Sequence, residues 1–239
     1  MRLEKASHKA IVYACMNFHY AKSIPVNVTG YSVFNDENKW CGVILYGSGA
    51  NNNLANEFNL KQGEVIELVR MALNGKHSST SKALSISLKL INKSVPLCKL
   101  IVSYADIDQN HLGIIYQATN FYYVGTSMEN STDSSWIIKG KRFHGRVISD
   151  LVKNKGGLNG LTRKEFLKKY FDINAHEYIT KGKIKYIYPL DKSMIPLCKS
   201  LSKPYPKKQP AELPHMGEGE AIQLQGAFDS TVPLNKTLK

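Results

Sequence analysis

Long hydrophobic runs are missing from this 239-residue chain. No segment approaches the roughly 20 consecutive apolar residues that a bilayer-spanning helix needs, so no membrane helix is expected. Cysteine is sparse as well: Cys15, Cys41, Cys98 and Cys198 are far apart, form no C-x-x-C pair, and three of them lie in apolar stretches. That argues against a disulfide scaffold and for a reduced, cytoplasmic protein whose thiols act as small hydrophobes. No export signal is expected at the N-terminus, because His8 and Lys9 crowd its short apolar run and no small-residue cleavage site follows. Internal repeats are absent. With 43% hydrophobic and 21% charged residues, neither disorder nor a membrane protein is the natural class. The length allows one large domain, or one domain with an appended module, around a sizeable core.

Acidic residues are also few, 19 against 32 Lys plus Arg, for a formal charge of +13. The excess is not spread evenly. Residues 1–137 hold 12 basic and 10 acidic side chains, residues 138–208 hold 18 and 5, and residues 209–239 hold 2 and 4. A cationic field confined to one segment favours a polyanion, since each neutralised phosphate releases condensed counterions. Nucleic acid is the first partner this suggests, an anionic membrane surface the second. The distribution divides the chain into a core over 1–137, a basic extension over 138–208 and a tail over 209–239, where Pro, Gly and acid predict flexibility.

Within the core, Ile11, Val12, Ala14, Cys15 and Phe18 recur at helical spacing and predict a short helix over Ala10–Phe18. The β-rich runs Val26–Phe34 and Lys39–Tyr46 flank Asn35-Asp36-Glu37-Asn38 and predict a hairpin. Glu64–Leu73 is mostly apolar on both faces, as a central strand should be. Ser78 to Ser81 offers caps for a helix with the stripe Leu84, Leu88 and Ile91, which Pro96 stops. Lys99–Asp106 reads as a second buried strand, followed by a helical turn from His111 and the aromatic strand Phe121–Val124. The order strand, capped helix, strand, short helix, strand implies a right-handed crossover and adjacent parallel strands, in a mixed α/β fold. In the basic segment, Trp136–Phe143 reads as a hairpin about Lys139-Gly140, Thr162 to Glu165 as a capping box, and Lys183–Tyr188 as an alternating strand.

Several residues stand where chemistry is done. Asp106 follows directly on an apolar strand, at the carboxyl edge of the sheet where substrates bind; a turn or N-cap role is the competing reading, for which Asp108 is the better candidate. Arg70 interrupts a buried strand and so requires a partner or a cleft, whether for a salt bridge or for function. Glu67, three residues earlier, is expected on the opposite face. His19-Tyr20 reads either as a surface or capping pair or as a metal ligand or base. In Gly113–Gly125, Tyr116, Gln117, Asn120, Phe121, Tyr122 and Tyr123 supply rings and amides able to stack on and hydrogen-bond a displaced base, although Phe121 and Tyr122 fit the core better. Ser103 and Tyr104, in the strand running into Asp106, join Gln117, Asn120 and Tyr123 as candidate substrate contacts. Candidate phosphate contacts are Lys139, Lys141, Arg142, Arg146, Lys168, Lys169, Lys183, Lys185, Lys207 and Lys208, with density of charge rather than any single member as the signal.

Taken in order, His19-Tyr20, the strand GEVIELVRMAL, the block SYADIDQNHLGIIYQATNFYYVGTS at 103–127, RFHGR at 142–146 and PYPK at 204–207 resemble the Mom DNA-modification proteins of Mu-like phages over about 190 residues. The resemblance implies an N-acetyltransferase-like (GNAT-like) mixed twisted sheet flanked by helices. It also implies conversion of adenine in double-stranded DNA to an N6-carbamoylmethyl-type derivative that protects the phage genome from host restriction in the host cytoplasm. Family activity would map onto His19, Tyr20, Arg70, Asp106 and Tyr116, with Asp106, Arg70, Tyr116 and Tyr20 catalytic and iron, if carried, on His19, Tyr20 and Asp106. One departure concerns the donor. The turn before the central helix, Leu73-Asn74-Gly75-Lys76-His77-Ser78-Ser79-Thr80, has one glycine and bulky polar neighbours where a GNAT cradles the CoA pyrophosphate. That argues against acetyl-CoA, although Lys76 and the serines retain phosphate-binding chemistry. Two alternatives compete with a DNA-modifying transferase: a CoA-dependent acyltransferase for a protein or small amine, and a non-catalytic DNA-binding protein.

Overall fold

A computed structural model describes residues 1–49, 51, 53–127 and 131–207; the tail read as flexible, 209–239, lies outside the described residues. Strand β1 (Arg2–Lys5) leads into helix α1 (His8–Phe18), whose first turn is capped by Ser7 accepting the Ala10 N–H. Helix α1 buries Ile11, Ala14 and Cys15, the stripe its spacing predicts. The hairpin β2 (Val28–Phe34) and β3 (Trp40–Gly47) follows, then β4 (Val65–Leu73). Helix α2 (Thr80–Ser94) starts at Ser79, whose hydroxyl accepts the Lys82 N–H, and ends just before Pro96, which disfavours helical backbone at Val95. Strand β5 (Leu100–Asp106), the short helix α3 (Ile114–Gln117) and β6 (Tyr122–Ser127) complete the first half.

The second half holds β7 (Ser131–Ile138), β8 (Lys141–Phe143), α4 (Gly145–Asn154), α5 (Arg163–Tyr170), β9 (His176–Thr180), β10 (Lys183–Pro189) and α6 (Ile195–Leu201). The capping box of α5 forms as expected, with Thr162 and Glu165 exchanging bonds. Among the described residues, seven strands make a mixed sheet in the order β1-β2-β3-β4-β5-β10-β6, and β8-β7-β9 make a smaller one. Strand β3 presents Val43 and Leu45 to α1, and Ile44 and Tyr46 to α2, so the helices cover opposite faces. Helix α6 packs on the α1 side with Leu100, Val102 and Ile187. Among the described residues no helix is long and apolar enough to cross a membrane, and all four cysteines are buried free thiols.

Three findings correct the sequence reading. First, the proposed division at residue 138 cuts through β7, and β10 is no part of an appended module: it sits in the main sheet, antiparallel to both β5 and β6. Residues 1–207 form one compact unit. Its core positions Ile184, Tyr186 and Ile187 are fully or almost fully buried, and that burial outweighs the charge of the flanking lysines. Second, β4 and β5 are adjacent and parallel, as the crossover through α2 requires, but β10 separates β5 from β6. Third, Arg70 pairs with Leu45 while Leu68 pairs with Tyr46, leaving Val69 as a bulge. The extra residue reverses the alternation, so Glu67 and Arg70 share the α1 face instead of opposing each other.

The β4–β5 ladder runs only from Val65 to Leu68 against Leu100 to Ser103. Beyond it β4 stays with β3 and β5 stays with β10, so the parallel strands part at their carboxyl ends. The Ser103 hydroxyl closes the apex of the wedge by donating to the Leu68 carbonyl at 3.1 Å. Arg70 and Asp106 stand on its two sides.

Candidate active site

Asp106 ends β5 and serves two neighbours. Its Oδ1 accepts the Asp108 N–H at 3.0 Å, capping the turn Ile107–Gln109. Its Oδ2 accepts the Tyr20 hydroxyl at 3.2 Å. Asp106 therefore does the capping expected of Asp108 and still turns an oxygen toward the chain that leaves α1. Tyr20 is half exposed (51%), with its hydroxyl directed at Asp106. Burial and the adjoining carboxylate push its phenol up to about 12, so it stays protonated and donates.

His19 stacks on Tyr20 with ring centroids 4.3 Å apart, and its Nδ1 accepts the Ala21 N–H at 3.1 Å. Burial, then the Arg70 guanidinium, then His111 lower its pKa to about 4. A depressed histidine destabilises the fold wherever the unfolded chain takes up a proton that the folded chain refuses. Its contribution is complete above pH 6.5 and is lost as pH falls from about 6.5 toward 4. His19→Gln should therefore flatten the decline of urea-unfolding stability over that window relative to the unsubstituted protein. Parallel declines in both proteins would show that His19 titrates normally.

Arg70 donates to the Ser23 carbonyl through Nη1 and reaches the Ser23 hydroxyl at 3.5 Å, fastening the segment that carries Tyr20. Among the described residues, no partner hydrogen-bonds its buried Nε. Tyr116 approaches from α3. Its ring packs on Phe121 and Tyr186 at centroid distances of 5.4 and 5.2 Å. Burial raises its phenol's pKa. His19, Tyr20, Arg70 and Asp106 thus gather on the α1 face of the parted strands, whereas Tyr116 packs on the α2 face with Phe121 and Tyr186. His111 was missed in the sequence; its ring lies 6.0 Å from Tyr20, edge to face. Its place five positions beyond Asp106 was the available signal.

The aromatic block does not present all its polar groups to a ligand. The Gln117 amide donates to the Leu112 carbonyl at 3.3 Å and the Tyr186 hydroxyl at 3.1 Å, so its role is to hold α3 down. Gly113 makes that close approach possible: its φ is +72°, and a Cβ there would lie 2.3 Å from the Tyr186 ring. Asn120 is an exposed left-handed turn residue, Phe121 is core, and Tyr123 packs on Tyr186 at 5.8 Å. Tyr104 faces away from Ser103, toward Lys185 and Glu57.

The basic candidates divide. Lys185 is paired with Glu57, and Arg142 with Asp108 at 3.1 Å while stacked 3.8 Å over Tyr178; both were expected on phosphate, and both are engaged by the protein. Lys183 sits directly across from Asp106 in the sheet. Lys139 and Lys141 are exposed on the β7–β8 hairpin, Lys169 on α5, and Lys207 at the end of the described chain, whereas Lys168 is half-buried. Arg146 begins α4 and its side chain lies outside what the structure describes, as does Lys208.

For iron, His19, Tyr20 and Asp106 offer N and O donors, but among the described residues no three His, Cys, Asp or Glu converge on a common point. The Tyr20 hydroxyl lies on Asp106 and the His19 ring on Tyr20, so these three side chains would be the ones to hold an iron ion; no step below runs through one.

The chain is 32% identical over 124 residues to the methylcarbamoylase Mom of Escherichia phage Mu. That alignment covers 50% of this chain and 49% of the relative, so the match spans about half the relative's length. Among solved structures, the chain is similar to a spermidine N-acetyltransferase, SpeG, from Vibrio cholerae, with a TM-score of 0.43 at 8% identity, covering 82% of this chain and 99% of that one. It is also similar to an aminoglycoside acetyltransferase in complex with coenzyme A and kanamycin, with a TM-score of 0.41 at 13% identity, covering 53% and 86%. The Mom protein family model matches residues 1–207, and the chain belongs to the Mom protein family.

Proposed function

We propose that this protein is a phage DNA-modification enzyme that transfers a carbamoylmethyl-type group to the N6 amine of adenine in double-stranded DNA and so shields that DNA from host restriction. The observation that carries the reading is the Tyr20–Asp106 pair at the mouth of the parted strands, on a chain of the Mom family. The target base must leave the stack to reach a site in the protein. Its amine attacks the electrophilic carbon of an activated two-carbon amide donor. An N–C bond forms, the donor's leaving group departs with its electron pair, and the surplus N6 proton passes to the Asp106 carboxylate. An exocyclic adenine amine is a poor nucleophile, so orientation by Tyr20, Arg70 and the flanking rings has to supply much of the rate.

The donor is not taken to be acetyl-CoA. In the turn before α2, Asn74 accepts the Lys76 N–H at 2.9 Å, His77 pairs with Thr80 at 2.7 Å, and Ser79 holds the Lys82 N–H. Its own side chains engage groups that a pyrophosphate would use. The test is mass spectrometry of nucleosides from plasmid DNA of cells expressing the protein. A 2′-deoxyadenosine in which a carbamoylmethyl group replaces one N6 hydrogen is expected. Unaltered nucleosides with retained DNA binding would identify a non-catalytic binder, and a thermal shift with CoA but not DNA would identify an ordinary acyltransferase.

A further inference from the structure

Asp108 lies two residues beyond the candidate base, and its side chain is only 3% exposed. Three groups of the small sheet and its exit donate to it: the Thr180 hydroxyl at 2.9 Å, the Lys181 N–H at 3.1 Å and Arg142 Nη1 at 3.1 Å. Burial alone would raise its pKa, but these donors together hold it below the usual carboxylate range. The preceding Asp106–Ile107 peptide is fastened to the same place, because the Ile107 N–H donates to the Gly182 carbonyl at 3.3 Å.

The location of this knot matters more than its strength. Strand β9 belongs to the small sheet and β10 to the main sheet, and only Lys181-Gly182 separates them. Asp108 therefore grips the junction of the two sheets through its carboxylate. Through its N–H it grips Asp106, whose Oδ1 accepts that bond. The small sheet carries the exposed Lys139 and Lys141. A load placed on that sheet by a polyanion reaches the Asp106 carboxylate through one residue.

We infer that Asp108 is a positioning residue that couples the basic small sheet to Asp106, and that Arg142 is its brace rather than a phosphate contact. The inference rests on the proposed role of Asp106 in DNA modification. Arg142 is suited to bracing: its guanidinium carbon lies 3.8 Å over the centre of the Tyr178 ring while Nη1 meets the buried carboxylate, a geometry that a lysine does not reproduce.

The full chain carrying Asp108→Asn, Arg142→Met or both tests this with two readouts: modified adenine in co-expressed plasmid, and affinity for duplex DNA between 50 and 200 mM salt. Each single variant is expected to lower modification about tenfold, and the double variant to be no worse than the poorer single, as members of one linkage behave. The slope of log affinity against log salt should be unchanged in Arg142→Met, whereas Lys141→Met should lower it by about 0.9, the share of one phosphate contact. A slope lowered by that amount in Arg142→Met, wild-type modification by Asp108→Asn, or losses that multiply in the double variant would each overturn the inference. Should Asp108→Asn fail to fold, Thr180→Val removes a single donor, and a partial loss of modification at unchanged salt slope is then required. If the unsubstituted protein leaves adenine unaltered, the proposed function fails and the coupling falls with it. A slope change in Arg142→Met alone sinks the coupling and leaves the proposed function standing.

Discussion

Replacing Asp106 with asparagine is expected to cut adenine modification by about 10²–10⁴-fold, the usual worth of a general base, while duplex affinity and melting temperature stay near those of the unsubstituted protein. The reason lies in the two hydrogen bonds the residue already makes. An asparagine oxygen still accepts the Asp108 N–H, and its amide can donate to the Tyr20 oxygen, because a phenol oxygen can also accept. Both local contacts survive, so the turn after β5 keeps its cap. Proton uptake does not survive, since a carboxamide has no useful basicity. The charge next to Tyr20 disappears too, and its phenol, now held up to about 12 by burial and then by this carboxylate, should titrate lower in an ultraviolet pH titration. Nucleoside mass spectrometry, a binding isotherm and a melting curve on the same preparation decide the matter. Modification within tenfold of the unsubstituted level would remove Asp106 from the chemistry.

What was legible in the sequence was what short-range physics determines. The Leu84, Leu88 and Ile91 stripe with its serine cap and proline stop, the turn Lys139-Gly140 and the Thr162–Glu165 box are each decided within a few residues, and each forms as read. The course of β10 was not legible. Its alternating lysines look like a solvated strand of the basic segment, and only the burial of Ile184, Tyr186 and Ile187 between β5 and β6 reveals its place. The Val69 bulge is invisible for a related reason: parity counted along β4 has no marker for an extra residue, yet that residue decides which face Arg70 shares. Charge density pointed to the right segment but overcounted the free cations. Lys185 and Arg142 are matched by Glu57 and Asp108, acids far away in sequence whose approach depends on the assembled sheets.

Arg70 yields the second large effect, and its signature is a separation of activity from stability. Within the described residues it has no carboxylate partner among the ion pairs; it has the Ser23 carbonyl, a long contact to the Ser23 hydroxyl and a buried Nε left unbonded. Arg70 is only partly withdrawn from water, so its desolvation costs a fraction of that of a buried ion, and a hydrogen bond from a charged donor returns about 1.5–3 kcal/mol. The net contribution to folding is therefore small. Arg70→Met should melt within a few degrees of the unsubstituted protein, or above it, yet lose modification by about 10²-fold or more. Two things vanish together: the positive charge beside the wedge, and the tether that holds Tyr20 over Asp106. Arg70→Lys should not restore activity, because an ammonium cannot bond Ser23 and direct a second N–H into the wedge from a planar fork. A spectroscopic readout follows from the neighbour. Arg70 helps to hold the His19 pKa near 4, so its removal should move the His19 ring-proton titration upward in NMR, toward 6.5. If activity, melting temperature and fold all fell together while the His19 titration stayed in place, Arg70 would be a scaffold residue and the wedge would have lost its cation.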